Sequence, residues 1–293
     1  MTDGVYGIKE LITQTELGVG FEGAGVVTEV HESVDASLIG KTVAFSQNVH
    51  SPTFQGTWRQ YIFEDAKNVV PFPEGIQPNQ AFASFVNPLT VLAILDFAKK
   101  NGHKSIVHSA AASSLGKMLV KQAKKEGVTL INIVRRPEQV TTLEELGAEH
   151  ILDSSSETFA ADLKDIATTT EATGYFDPIG GEFTETVLNA LPISSTAYVY
   201  GGLSGKPVTI GVTTLIFYQK TVSSLWLGPW LRQLSAEEIK EAFTTVATDL
   251  STGGKIFGST IIETYPLDKF AEAIEQSLKH ASEGKIVINP NLS

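Results

Sequence analysis

The segment from Ser105 to Glu126 carries the residue types best suited to chemistry. It reads as a short apolar run, Ser105 to His108, then the turn Ser109-Ala-Ala-Ala-Ser-Ser-Leu-Gly116, then a helical stretch from about Leu115 to Glu126 that ends at Gly127. A strand-to-helix turn that binds a dinucleotide needs a tight bend, a close backbone approach to pyrophosphate and a close helix–strand contact. Glycines usually meet all three needs. Aligned on Gly116, the three positions here are Ala111, Ser113 and Gly116. The two replacements are small, so the backbone can still come close. Ser113 and Ser114 also offer hydroxyls that cap a helix or bond a phosphate. The next run, Thr129 to Val134, stops at Arg135-Arg136. An acidic residue there would hold a ribose 2′-hydroxyl, whereas two guanidiniums suit a 2′-phosphate. The pattern favours NADPH over NADH. An ordinary βα turn followed by a solvated basic pair is the plain alternative.

Other chemistries find little support. The chain has no cysteine, which excludes disulfides, cysteine-ligated zinc and a cysteine nucleophile. Its six histidines, His31, His50, His103, His108, His150 and His280, show no close ligand pairing and read as surface or structural residues, so no metal site is expected. No G-x-S-x-G elbow occurs, and Gly202-Leu-Ser204-Gly205 has the wrong spacing for one. A net charge of −11 argues against nucleic acid and against a polybasic membrane anchor. With 293 residues, 42% of them hydrophobic, the chain has material for about two domains and a large core. The stretch Ala81 to Ala98 contains Asn87, Pro88 and Asp96, and reads as a buried helix entrance with no membrane insertion.

The elements that would position the turn follow from texture. Before Pro78 the chain reads as strands and turns, with strands expected at Val26 to Val30, Lys41 to Phe45 and Trp58 to Phe63. Helical spacing then runs through Leu89, Leu92, Ala93 and Phe97 to a stop near Gly102. Strands and helices alternate from there: a helix at Leu143 to Leu146, a strand at His150 to Leu152, a strand end at Tyr175 to Asp177, a helix at Thr184 to Ala190 and a strand at Ala197 to Tyr200. Amphipathic helices at Ala236 to Thr248 and Leu267 to Leu278 precede a last strand, Lys285 to Ile288. Such alternation predicts α/β architecture with a doubly wound parallel sheet.

A set of short motifs, in order along nearly the whole chain, carries a resemblance. They are GFEGAGVV (Gly20 to Val27), GKTVAF (Gly40 to Phe45), GTWRQY (Gly56 to Tyr61), VNPLTV (Val86 to Val91) and AAASSLG (Ala110 to Gly116). FDPIGG (Phe176 to Gly181), YGGLSGKP (Tyr200 to Pro207), LWLGPWL (Leu225 to Leu231) and GKIVI (Gly284 to Ile288) follow. Together they resemble the medium-chain dehydrogenase/reductase superfamily, in its zinc-free branch of quinone oxidoreductases and 2-enoyl thioester reductases. Phe21 stands where the zinc enzymes carry histidine.

The resemblance implies a Rossmann NADPH-binding domain at residues 83–254. It implies a GroES-like β-rich catalytic domain at residues 1–82 and 255–293, incomplete because family members carry several strands before the segment matching VYGIKE. It implies that Ala112, Ser113, Ser114, Leu115 and Gly116 line the pyrophosphate and that Arg135 and Arg136 take the 2′-phosphate. Asn87 is implied beside the nicotinamide. Tyr200, Gly201, Gly202 and Leu203, with Leu225, Trp226 and Leu227, would wall its pocket, and Lys285 would close the site. Tyr6 would be the catalytic proton donor. The implied activity is hydride transfer to a quinone or an α,β-unsaturated carbonyl or enoyl thioester. The alternative is a catalytically impaired structural subunit of a larger assembly. A homodimer, paired through an edge near Thr209 to Phe217, or a partner chain covering the missing strands, is expected, with a cytoplasmic location.

Overall fold

The computed structural model describes residues 18–47 and 55–292. The chain divides into two compact units: Thr90–Gln233 forms one, and the described parts of residues 18–89 and 234–292 form the other.

The discontinuous unit opens with an antiparallel sheet of β1 (Glu22–Val26), β2 (Thr42–Ser46) and β3 (Val69–Pro71), in that order. Val43, Ala44 and Phe45 of β2 are buried at its centre. The first strand lies earlier than Val26 to Val30. Its ladder closes at Val27, which donates to Lys41 O and accepts from Gly40 N, so Thr28 to Val30 have no strand to pair with. Trp58 to Phe63 form no strand either. Thr57 N and Trp58 N are tied to Gly20 O and Val19 O, and the chain bends at once, with Arg59 N donating to Thr57 O. An aromatic run makes a strand only where a ladder partner is at hand.

Helices α1 (Pro78–Ala81) and α2 (Val86–Lys100) follow. By length and composition the span Pro78–Lys100 could cross a membrane, but 67% of its most apolar window is buried, which makes it a core helix. The first turn of α2 has no acidic residue of its own. Glu22, from β1, supplies the missing charge: its Oε2 accepts from Val86 N at 2.7 Å, and Phe85 N also bonds it. The carboxylate sits where a helix N-terminus leaves unsatisfied donors.

The continuous unit is a six-stranded parallel sheet. Its strands are β4 (Ser105–His108), β5 (Thr129–Val134), β6 (His150–Asp153), β7 (Ala172–Asp177), β8 (Thr196–Val199) and β9 (Thr221–Ser224). Their order is β6-β5-β4-β7-β8-β9. Helices α3 (Ser114–Glu126), α4 (Pro137–Glu145), α5 (Phe159–Thr169) and α6 (Phe183–Ala190) connect them, and α7 (Val212–Ile216) precedes β9. The order reverses at the β4/β7 neighbours, which places a crevice beyond their carboxyl ends.

Alternation along the strands sorts the two faces. Val107, Ile131, Tyr175 and Ala197 are register partners and join one core cluster with Phe159 and Leu163 of α5 and Val187 and Leu188 of α6. His108, Asn132, Phe176 and Tyr198 are the register partners on the other face. There Phe176 stacks on Tyr198, and Phe97 of α2 meets Tyr198 edge-on.

Thr209 to Phe217 is not an edge strand. Its residues 212–216 are helical, and β9 provides the sheet edge. Lys220 ties the approach to β9 by donating to Leu191 O at 2.7 Å and also to Pro192 O. The unit ends with α8 (Leu227–Gln233), whose Trp230 Nε1 donates to Asp96 Oδ2 at 2.8 Å.

The chain then returns to the discontinuous unit through α9 (Ala236–Ser251), opened by a Ser235/Glu238 capping box. Strand β10 (Ile261–Tyr265), helix α10 (Phe270–Lys279) and strand β11 (Lys285–Ile288) complete it, with β10 and β11 paired in parallel.

Replacing Glu22 tests the helix anchor. Glu22→Ala is expected to lose about 1–3 kcal/mol of stability in chemical denaturation, because the amides of Phe85 and Val86 lose their acceptor. Glu22→Gln, which keeps an acceptor oxygen, is expected to lose less. An alanine variant as stable as the parent would contradict this role.

Candidate cofactor site

The crevice of the continuous unit begins with the turn after β4. Ala110 takes a left-handed φ of 51°, which reverses the chain directly after the strand. Ala111 N then donates to Ile133 O of β5, and Ser113 N donates to Ala110 O. Ser113 is the N-cap of α3, its Oγ accepting from Gly116 N at 3.1 Å. Lys117 N closes the first intrahelical bond onto Ser113 O. The amides of Ser114 and Leu115 are left at the helix mouth, where the first N–H groups of a helix lack internal partners. No acidic residue occupies that first turn.

Gly116 fixes how close helix and turn can lie. A Cβ on it would stand 2.2 Å from Ala111 O and 2.7 Å from Ala111 Cα. Only glycine fits, and the approach is as tight as the helix–strand contact that a dinucleotide site requires. Ala112, at 3% exposure, is packed into the same bend. The turn is therefore built as such sites are built, although two of its three glycine positions are filled by Ala111 and Ser113.

Arg135 and Arg136 follow β5 directly, and both are exposed. Arg136 is the N-cap residue of α4, and the amide of Arg135 donates to Gln139 Oε1 at 3.1 Å. The strand order puts this pair at the end of the strand beside β4, the place where a ribose-recognising residue stands in such sheets.

The turns after β7 and β8 lock together. Asp177, fully buried, accepts from Ile179 N at 2.8 Å, Gly180 N at 3.0 Å and Thr184 Oγ1 at 2.6 Å. Tyr200 N donates to Asp177 O, Leu203 N to Pro178 O and Ser204 N to Ile179 O. Gly201 permits this approach, since a Cβ there would meet Pro178 O at 2.6 Å. Gly202 continues the turn, and Leu203 is 63% exposed. Beyond β9, Leu225 is buried and its amide donates to Val199 O. It packs as core, and Trp226, 53% exposed, is the residue of that trio most open to a ligand. Leu227, partly buried, begins α8.

Two polar side chains at the sheet's carboxyl end escape the motif reading. His108, the last residue of β4, is fully buried. Its Nε2 lies 2.6 Å from Tyr200 Oη, with the two rings stacked 9° from parallel. Burial pushes the imidazole down to about 3, so it is neutral at physiological pH. Next to it, Ser109 Oγ lies 2.8 Å from Tyr175 Oη. Burial, assisted by the charge of Asp177, raises the Tyr175 phenol well above its ordinary range. No motif marks His108 in the sequence; its burial and its bond to Tyr200 arise only from the sheet.

The remaining sequence-derived residues lie elsewhere. Asn87 is the second residue of α2, and Lys285 is the first residue of β11; both lie in the discontinuous unit. Glu22 links them there, bonding the start of α2 while the Lys285 charge draws its carboxyl down against the upward push of burial. Tyr6 lies outside the described residues. Among the described residues no group of three or more His, Asp or Glu side chains could hold a metal ion.

Comparison with known proteins bears on the same regions. Residues 114–248 match the family described as zinc-binding dehydrogenase. The mitochondrial enoyl-[acyl-carrier-protein] reductase of Arabidopsis thaliana is 28% identical over 282 residues, covering 94% of this chain and 72% of that protein. A Mesorhizobium loti structure named as an NADPH:quinone reductase is 31% identical, with a TM-score of 0.83, covering 92% of this chain and 77% of that one. Escherichia coli quinone oxidoreductase, solved with NADPH, shares the fold at 22% identity and a TM-score of 0.78, covering 94% of this chain and 83% of that one.

The buried imidazole makes stability depend on acid. His108 has its ordinary pKa of 6.5 when unfolded and about 3 when folded, so the unfolded chain binds the extra proton. Its contribution is complete above pH 6.5 and is lost as pH falls toward 3, at roughly 1.4 kcal/mol per unit. Denaturation curves from pH 7 to 4 are expected to show a shallower loss for His108→Phe than for the parent. Parallel curves would contradict it.

Proposed function

The chain belongs to the medium-chain dehydrogenase/reductase family of oxidoreductases, in its zinc-free quinone and enoyl reductase branch, and we propose that it is an NADPH-dependent reductase of activated double bonds. The observation that carries the reading is the Arg135-Arg136 pair at the end of β5, beside a glycine-tight, acid-free helix mouth. A 2′-phosphate needs charge-assisted donors, and guanidinium supplies them in a planar fork. An α,β-unsaturated thioester is the favoured substrate class, supported by the names of the curated relatives, and a quinone is the second.

When bound, the nicotinamide cofactor supplies the hydride. The chain's own work is to hold and orient. The amides of Ser114 and Leu115 at the mouth of α3 receive pyrophosphate oxygens. Arg135 and Arg136 receive the 2′-phosphate. The 200–203 turn and Trp226 flank the nicotinamide, and Tyr6 is proposed as the proton donor to the reduced substrate. The curated relatives are mitochondrial by name, which makes an organelle the first location to test, ahead of the cytoplasm.

A homodimer paired through β9 accompanies this reading. β9 ends the sheet, and the helix leading to it exposes Val212 (70%), Ile216 (63%) and the following Phe217 (73%). A free strand edge beside apolar side chains is a ready pairing surface. Sedimentation is expected to give a dimer at micromolar concentration, and Ile216→Asp with Phe217→Asp a monomer. A monomeric parent would overturn the dimer.

Titration with NADPH and NADH, read by intrinsic fluorescence, tests the cofactor assignment. Saturable binding that prefers NADPH is expected, and Arg135→Ala is expected to weaken NADPH about tenfold or more while leaving NADH unchanged. Binding of neither nucleotide would overturn the reductase reading and favour a structural subunit.

A further inference from the structure

His108 and Asn132 are register partners on β4 and β5, so their side chains leave the same face of the sheet. Both are essentially unexposed, at 0% and 1%. The amide nitrogen of Asn132 donates to Leu130 O at 3.2 Å and to His150 O at 3.1 Å. Those two bonds fix the amide orientation and leave Oδ1 as a buried acceptor with no protein partner. His108 Nδ1 is likewise buried without a protein partner. Buried polar groups are costly unless paired, and these two orphans project from neighbouring strands on one face of the sheet. A buried water bonded to both would satisfy them, and it requires the Nδ1–H tautomer. Nε2 is then the lone-pair nitrogen, and the Tyr200 hydroxyl donates to it across 2.6 Å.

We propose that Asn132, His108 and Tyr200 form a polar relay that crosses from β5 to the turn after β8 and positions that turn for the nicotinamide half of the cofactor. The relay rests on the dinucleotide reading above. His108 and Asn132 are positioning residues acting through Tyr200. Tyr200 opens the turn, Gly201 presses it against Pro178, and the short bond to His108 anchors its ring two strands away from β4.

Calorimetric titration of the full chain with NADPH and with adenosine 2′,5′-bisphosphate separates the two halves of the ligand. Tyr200→Phe keeps the ring and removes only the hydroxyl, so it is expected to fold. It is expected to weaken NADPH about tenfold and to leave the bisphosphate unchanged. His108→Gln, which keeps a hydrogen-bonding group, is expected to lose less than His108→Leu. Long-range proton–nitrogen NMR of the parent is expected to show His108 as the Nδ1–H tautomer. A parent that binds neither ligand overturns the dinucleotide reading. A parent that binds both, with Tyr200→Phe weakening both equally or neither, overturns the relay alone, as does an Nε2–H tautomer.

Discussion

The approach of helix α3 to the turn that precedes it governs the continuous unit. Ala111 O lies so near Gly116 Cα that even a methyl group would overlap it. From this single constraint the rest follows. The turn must reverse within Ala110, hence its left-handed backbone. Ser113 must cap at once, hence its bond to Gly116 N. The helix thereby starts directly after the carboxyl end of β4, beside the point where the strand order reverses. A larger residue at 116 would push the helix off the sheet and move its amides away from the crevice.

The other side of the crevice is held by a different kind of force. Asp177 is fully buried, yet each carboxylate oxygen has donors: two amides on one and a threonine hydroxyl on the other. Such a satisfied charge organises backbone more firmly than apolar contact does, because any rearrangement strands it. It pins the turn after β7, and that turn's carbonyls in turn receive the amides of Leu203 and Ser204. The glycine at 201 is needed for the same nesting. Thus one wall depends on the absence of a side chain and the other on a buried carboxylate.

Much of this was legible in the sequence, and the reasons differ by element. The strands Ser105–His108, Thr129–Val134 and Lys285–Ile288 coincide with their apolar runs. Gly127 stops α3 at φ 69°, a conformation glycine adopts without strain. The failures lie where tertiary partners decide. Trp58 to Phe63 have strand-like residues but no ladder, and β1 sits on glycine-rich residues that composition disfavours, held because β2 lies alongside. Helix α5 was readable in principle, since Phe159, Leu163, Ile166 and Ala167 recur at helical spacing, but short polar residues interrupt the run. In the candidate site, the Ser109 to Gly116 turn and the arginine pair were visible as motifs. His108 was not, because its importance comes from burial and from Tyr200, residues apart in sequence and joined only by the sheet.

Glu22 shows what a buried acid needs from its neighbours. It lies in the glycine-rich segment Gly20 to Gly25, next to Phe21. A buried carboxylate cannot stand alone; desolvation raises the proton affinity of Glu22, and its neighbours offset only part of that rise. The partial offset comes from backbone amides at the mouth of α2 and from the charge of Lys285. The glycines around it serve the same end. Gly20 must admit Thr57 and Trp58, and Gly23 lies against the Phe45 ring, so the strand can carry its one acid inward. The segment thus serves to anchor the start of α2.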